Sequence, residues 1–321
     1  MSTHLAITIR PISPDDLEPL HQLYSSQTDL LPHHPKVGLE QFAAEIIPHI
    51  ADDAFDPDGN LSLVAERAGR PIAFAITSFL QADAHHSNMK AGAGVLRFVL
   101  AGDEDGDACR TVIRAVIAEA KARRCLDLRA LMAQYGPRFH NYGDCGLSNA
   151  WPWIGRALTS EGFEAFWPTL ALYRPNRGPI QRLPLPGGAE LRSEWVSRVG
   201  TPGEWEGGYH LYVGEERAAE VMWHFGGKYV DGLATKTAYL FWLGTNASYR
   251  GQGLGRAMLR AALVSMEEAG AKETCLRCRP DNFAAHAVYR AEGYEVSDLL
   301  WEFRWGGSHR THGAWGRERL P

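Results

Sequence analysis

Apolar and polar positions alternate through "LAITIRPI" near the start of the chain, a strand pattern, and give way to helical spacing in "SPDDLEPLHQLYSSQ". There Ser13 is placed to cap, Pro14 suits a first helical turn, and Asp15 and Asp16 favour the positive end of the dipole. A second helical stretch covers residues 39–50. In "LSLVAERAGRPIAFAITSFL" two apolar runs meet at Ala68, Gly69 and Arg70, which predicts a hairpin. "GVLRFVLAG" reads as a strand and "ACRTVIRAVIAEAKAR" as a helix, and "LTSEGFEAFWPTLALYRP" closes this half. Past a Pro- and Gly-rich stretch the order returns. "GYHLYVGEERAAEVMWHF" predicts a hairpin around Glu215 and Glu216, and "KTAYLFWLG" a strand. "RAMLRAALVSMEEAG" predicts an amphipathic helix ended by Gly270, followed by the strand "ETCLRCR", the short helix "NFAAHAVYRAEG" and a closing strand or strands in "YEVSDLLWEFRW". The two halves therefore read as an internal duplication. The expected division is 1–175, a linker at 176–188, 189–306 and a tail at 307–321.

Composition narrows the class. A chain of 321 residues suits two domains of roughly 150 residues. With 45% hydrophobic and 22% charged residues it has ample side chains for a core, so disorder is not indicated. A formal charge of −5 without any run of Lys and Arg argues against a nucleic-acid partner. The N-terminus has no basic segment followed by an apolar one, and no stretch is long enough to span a membrane; the expectation is a cytoplasmic protein without a membrane partner. The five scattered cysteines do not suggest a disulfide framework. Cys275 and Cys278 form a C-x-x-C, but without a second ligand pair at zinc spacing they read as strand thiols, and no metal is expected.

The candidate chemistry lies in "SYRGQGLGRAM", where Gly251, Gly253 and Gly255 alternate directly before a helical pattern. Glycine weakens a helix, so its use there suggests that exposed backbone N–H groups are wanted, as for a phosphate at a helix N-terminus. A Walker loop fails because Arg256 stands where its second glycine belongs, and Arg256 also takes the third glycine position of a G-x-G-x-x-G dinucleotide fingerprint. Glu273 lies 20 residues after Gly253, as a ribose-binding acid would, but it would begin a strand rather than follow one. What remains is R-x-x-G-x-G, formed by Arg250, Gly253 and Gly255. With the preceding strand, the following helix and "DNFAAHAVYRAEGY", this resembles the GNAT N-acetyltransferases over about residues 209–305 and weakly over the first half.

The resemblance implies an α/β fold, strictly an α+β mixed sheet: two tandem GNAT-like domains, each a mostly antiparallel mixed sheet flanked by helices. It implies acetyl-CoA as cosubstrate, held by Leu243, Thr245, Arg250, Gly251, Gln252, Gly253, Leu254, Gly255, Arg256, Asn282 and Tyr289. The reaction implied is direct attack of a primary amine on the thioester. A backbone N–H near Leu243 would steady the oxyanion and Tyr289 would protonate the leaving sulfur. The alternative readings are a helix cap for Asn282 and a packing role for Tyr289. Many family members carry a Glu on the strand before the loop, but "TAYLFWLGT" has none, so His224 or Glu220 is the candidate base, His224 reading also as a packing residue between Trp223 and Phe225; Glu204, Trp205 and Glu206 read either as further acceptor contacts or as a solvated loop. Too few residues separate "AELRSEW" from "GYHLYV" for the family's two helices, so the first half is expected to supply the acceptor wall. In the first half the equivalent loop reads "AGDEDGDAC"; Gly106 and Arg114 are wrong for a calcium loop, and the four carboxylates would repel a pyrophosphate and leave it without a compensating cation, so the loop reads as a solvated acidic loop in a copy that has lost its cofactor site. The sequence does not choose the acceptor, and an amino sugar, polyamine, amino acid or peptide terminus all stay open, as does homodimerisation. A noncatalytic acyl-CoA sensor is the competing reading, and a nucleotide-dependent oxidoreductase a more distant one.

Overall fold

The computed structural model describes residues 6–46, 60–80, 89, 92–132, 135–137, 140, 146–185, 187–197, 205–226 and 236–306. In the first half the strand β1 (Ile7–Pro11) is followed by helices α1 (Leu17–Thr28) and α2 (Leu39–Ile46), then strands β2 (Leu61–Arg67), β3 (Arg70–Phe79) and β4 (Gly94–Ala101). Helix α3 (Gly106–Ala122), strands β5 (Asp127–Ala130) and β6 (Leu147–Ser148), helix α4 (Pro152–Ser160) and strand β7 (Glu164–Pro175) complete it. The second half runs β8 (Ala189–Ser197), β9 (Glu206–Val213), β10 (Glu216–Phe225), β11 (Thr237–Thr245), α5 (Leu254–Glu268), β12 (Glu273–Cys278), α6 (Phe283–Ala291) and β13 (Glu295–Gly306). Here β8 pairs directly with β9, so the two helices that separate β1 from β2 have no counterpart among the described residues.

All these strands join one mixed sheet in the order β1-β2-β3-β4-β5-β13-β7-β12-β11-β10-β9-β8, with β6 also on β13. Among the described residues only β4 with β5 and β11 with β12 pair in parallel, as expected where a helix links the two strands of each pair. The closing strands are exchanged between the halves. First-half β7 pairs with second-half β12 over Leu170 to Pro175, while second-half β13 pairs with first-half β5. The cores follow the exchange: Phe303 of β13 is buried with α3 and α4, and Leu172 of β7 is buried with α5. The segment read as a linker is strapped along the second half, where Ile180 N–H donates to Glu267 and an Arg182 Nη donates to the Tyr209 hydroxyl at 2.9 Å. The opening of the sheet where each parallel pair ends is the feature that positions the site.

Candidate functional site

Strand β11 pairs with β12 only from Thr237 to Leu240; beyond Leu240 it pairs with β10 alone. The two parallel strands splay apart there and leave a groove between them, bordered by Phe241 to Thr245. Burial records the opening, since Thr237 to Leu240 are buried while Phe241 and Trp242 are exposed and Leu243 to Thr245 half-buried. At the end of β11, Gly251 and Gly253 take φ values of 77° and 82°. This left-handed backbone favours glycine, and it folds the chain sharply into α5. Among the described residues the N–H groups of Gly251, Gln252, Gly253, Leu254, Gly255 and Arg256 donate to no group of the protein, and the first bond of the helix runs from Ala257 N–H to the Gly253 carbonyl. Six consecutive free donors at the positive end of a fifteen-residue helix form a cradle for a diphosphate.

The loop is anchored from behind. Tyr249 Oη donates to Glu216 at 2.8 Å and Asn246 Nδ2 to the same carboxylate at 3.2 Å, while the Asn246 side chain accepts from Ser248 N–H. Sequence reading missed these three anchors, because Glu216 lies across the sheet on a hairpin. Of the expected cofactor residues, Arg250 is exposed and reaches back to the Thr245 carbonyl at 3.2 Å, and Gln252 Nε2 approaches the Ser248 carbonyl at 3.4 Å. Leu254 is buried beneath the cradle, and a side chain at Gly255 would meet Thr245 Oγ1 at 3.2 Å. Arg256 offers its N–H to the groove, but its guanidinium is engaged elsewhere, donating to Glu292 at 2.6 Å; Arg260 holds the other oxygen of that buried carboxylate at 2.5 Å. Asn282 caps α6, accepting from Ala285 N–H at 3.3 Å. Tyr289 is 6% exposed on the inner side of α6, beside Tyr294 and packed with the α5 core. Burial raises its pKa well above 10, so its phenol keeps its proton at pH 7.

The two expected bases share the sheet face opposite α5 but differ in environment. His224 is 4% exposed, ringed by Tyr239 and Phe241, and burial lowers its pKa to about 4, which makes it a weak proton acceptor. Glu220 lies directly across from Gly244, at the splayed part of β11. Its carboxylate accepts from Trp242 Nε1 at 2.6 Å, with Arg217 at 3.3 Å and His210 at 3.9 Å. Trp205 is half-buried against the second core and Glu206 pairs with Ser197 and His224; Glu204 lies outside the described residues.

The first half has the same splay, with β4 and β5 paired only from Gly94 to Leu96, but among the described residues it is closed. Every residue of β4 is buried. Helix α4 packs on α3. Trp153 of α4 reaches the carbonyl of Ala101, the last residue of β4, at 2.9 Å. The acidic loop is not simply solvated: Asp105 is buried and meets Arg67 at 2.8 Å, Arg110 meets Asp107, and Arg156 lies 3.9 Å from Asp103. The groove is filled by packing in addition to being acidic.

Residues 190–294 match the model of the acetyltransferase (GNAT) family. The second half of the chain is thus similar to a GNAT acetyltransferase domain. Solved structures extend the likeness in fold to nearly the whole chain. A GCN5-related N-acetyltransferase from Sphaerobacter thermophilus aligns over 94% of this chain and 95% of its own, with a TM-score of 0.64 at 11% identity. A tandem GNAT protein from the clavulanic acid biosynthesis pathway aligns over 94% and 99%, also with a TM-score of 0.64, at 14% identity. The glucosamine N-acetyltransferase region of a fungal multi-domain GH3 β-N-acetylglucosaminidase aligns over 94% of this chain and 38% of that one, with a TM-score of 0.62 at 10% identity. The tandem GNAT fold thus accounts for both halves. No curated protein matches the sequence significantly. Among the described residues no helix is long and apolar enough to cross a membrane, and no group of three or more His, Cys, Asp or Glu side chains is placed to hold a metal ion.

Proposed function

We propose that the second half transfers an acetyl group from acetyl-CoA to a primary amine and that the first half is structural, without a cofactor site of its own. The observation that carries this reading is the run of six free N–H groups from Gly251 to Arg256 at the mouth of an open splay. The cradle fits the diphosphate of CoA, and the free edge of β11 from Thr245 back to Phe241 spans about 13 Å at roughly 3.3 Å per residue, room for the extended arm that carries the thioester.

The amine approaches from the face of Glu220 and sheds its first proton there, directly or through water, to become a nucleophile. Its lone pair forms the C–N bond at the thioester carbonyl, with a backbone N–H near Leu243 facing the developing oxyanion. When the C–S bond breaks, the thiolate takes a proton from Tyr289, and the second proton leaving nitrogen balances it. The products are the amide, the free thiol of CoA and one net proton. The test is thiol release from acetyl-CoA by the full chain across a panel of amines. Amine-dependent release supports the reading; acetyl-CoA binding without release by any amine would favour a noncatalytic sensor instead.

A further inference from the structure

Phe241 and Trp242 are exposed by 37% and 39% although they lie within a strand at the centre of the second half. Consecutive strand residues ordinarily point to opposite faces. Here Met222 pairs with Trp242 but Trp223 pairs with Leu240, so Phe241 is an extra residue on β11, a bulge. Bulges re-aim side chains and recur beside active sites. As a result both rings lie on the face opposite α5: Phe241 is 5.3 Å from the His224 ring, and the Trp242 indole reaches Glu220, two alternate positions earlier on the same strand.

The indole is also fixed in place. A side chain at Gly244 would meet Trp242 Nε1 at 3.1 Å and Cε2 at 3.5 Å, so the ring lies over bare backbone, and its N–H is held by Glu220 at 2.6 Å. One side of the ring is seated and the rest is open. The two aromatics border the splay where the acyl group would arrive, with one carboxylate beside them. Arg217 and His210 approach the same Glu220 oxygen, Oε2, while Oε1 takes the indole N–H. Each carboxylate oxygen accepts more than one hydrogen bond, so the carboxylate retains capacity for an ammonium.

On the reading that this half is an amine acetyltransferase, we propose that Phe241, Trp242 and Glu220 form the acceptor subsite and that the acceptor is a primary amine on a flat apolar body. A stacking platform with one acid suits such an amine, whose ring covers the exposed aromatics while its ammonium meets the carboxylate. An amino sugar would need a ring of hydroxyl partners and a polyamine several acids; among the described residues Glu220 is the carboxylate in contact with the platform.

The test is calorimetric titration of the CoA-saturated full chain with 2-phenylethylamine, glucosamine and spermidine. Phenylethylamine should bind at least tenfold more tightly than the other two. Trp242→Ala should weaken it about tenfold or more, and Trp242→Phe, which keeps a platform and loses only the bond to Glu220, should retain most of it. Neither change should alter the affinity for CoA. Glucosamine or spermidine binding as tightly, no phenylethylamine binding to the CoA-loaded chain, or an unaffected Trp242→Ala would overturn the assignment. Failure of CoA itself to bind would bring down the underlying reading of the loop, a separate result visible in the first titration.

Discussion

At Gly253 the backbone stands at φ 82° with nothing within 4 Å of where a side chain would begin. A side chain there meets open space, yet the left-handed conformation costs an L-residue about 1–2 kcal/mol. Gly253→Asp adds a negative charge inside the proposed diphosphate cradle, so acetyl-CoA affinity should fall at least a hundredfold with an unchanged circular dichroism spectrum; retained affinity would remove the loop from the site. Tyr289→Phe keeps the ring against Tyr294 and removes only the proton donor. Turnover should drop roughly tenfold or more with little change in CoA binding; unchanged turnover under rate-limiting chemistry would make Tyr289 a packing residue. The buried imidazoles predict an acid response. Unfolded, they titrate near 6.5; folded, burial places His224 at about 4 and His34 at about 3. Below 6.5 the unfolded chain binds protons that the folded chain does not. Stability is therefore full above that pH and falls on acidification, by up to about 1.4 kcal/mol per pH unit for each group. His224→Phe should flatten the urea-unfolding stability profile between pH 6.5 and 5, and an unchanged slope would show that His224 charges freely in the fold.

Among elements, the two splayed pairs show what local sequence encodes and what it does not. The R-x-x-G-x-G stretch was legible because the conformation it requires belongs to glycine itself, and the hairpin around Glu215 and Glu216 and the helices α3 and α5 were legible from their patterns. The exchange of β7 and β13 was not, because β7 offers similar apolar residues to either neighbour and only the assembled sheet decides between them. The closure of the first groove was also hidden: the acidic loop drew attention, whereas Trp153 reaches the Ala101 carbonyl from a helix 52 positions away in sequence. His224 and Glu220 looked alike as candidate bases on alternate positions of one strand, and the depth that separates them comes from the rings of Tyr239 and Phe241. Trp153→Ala should destabilise the chain by about 3–5 kcal/mol through the cavity it leaves. It should create no second CoA site, since the first-half loop begins with a turn in which Asp105 N–H bonds to the Gly102 carbonyl instead of a left-handed cradle. A second binding event in that variant would show that the indole alone closes the site.

In the whole molecule, each half holds a strand of the other. A segment from 189 onward lacks β7, leaving the edge of β12 from Glu273 to Cys278 unpaired and Leu172 missing from its core. Unpaired edges of this kind aggregate, so the isolated second half should elute as aggregate or bind CoA only weakly, and a monomeric fragment as active as the full chain would contradict the exchange. One open groove, in the second half, is proposed to take acetyl-CoA. Calorimetric titration of the full chain with acetyl-CoA measures this directly. One site per chain is expected, abolished by Gly253→Asp; two equivalent sites, or a site that survives that substitution, would overturn the assignment.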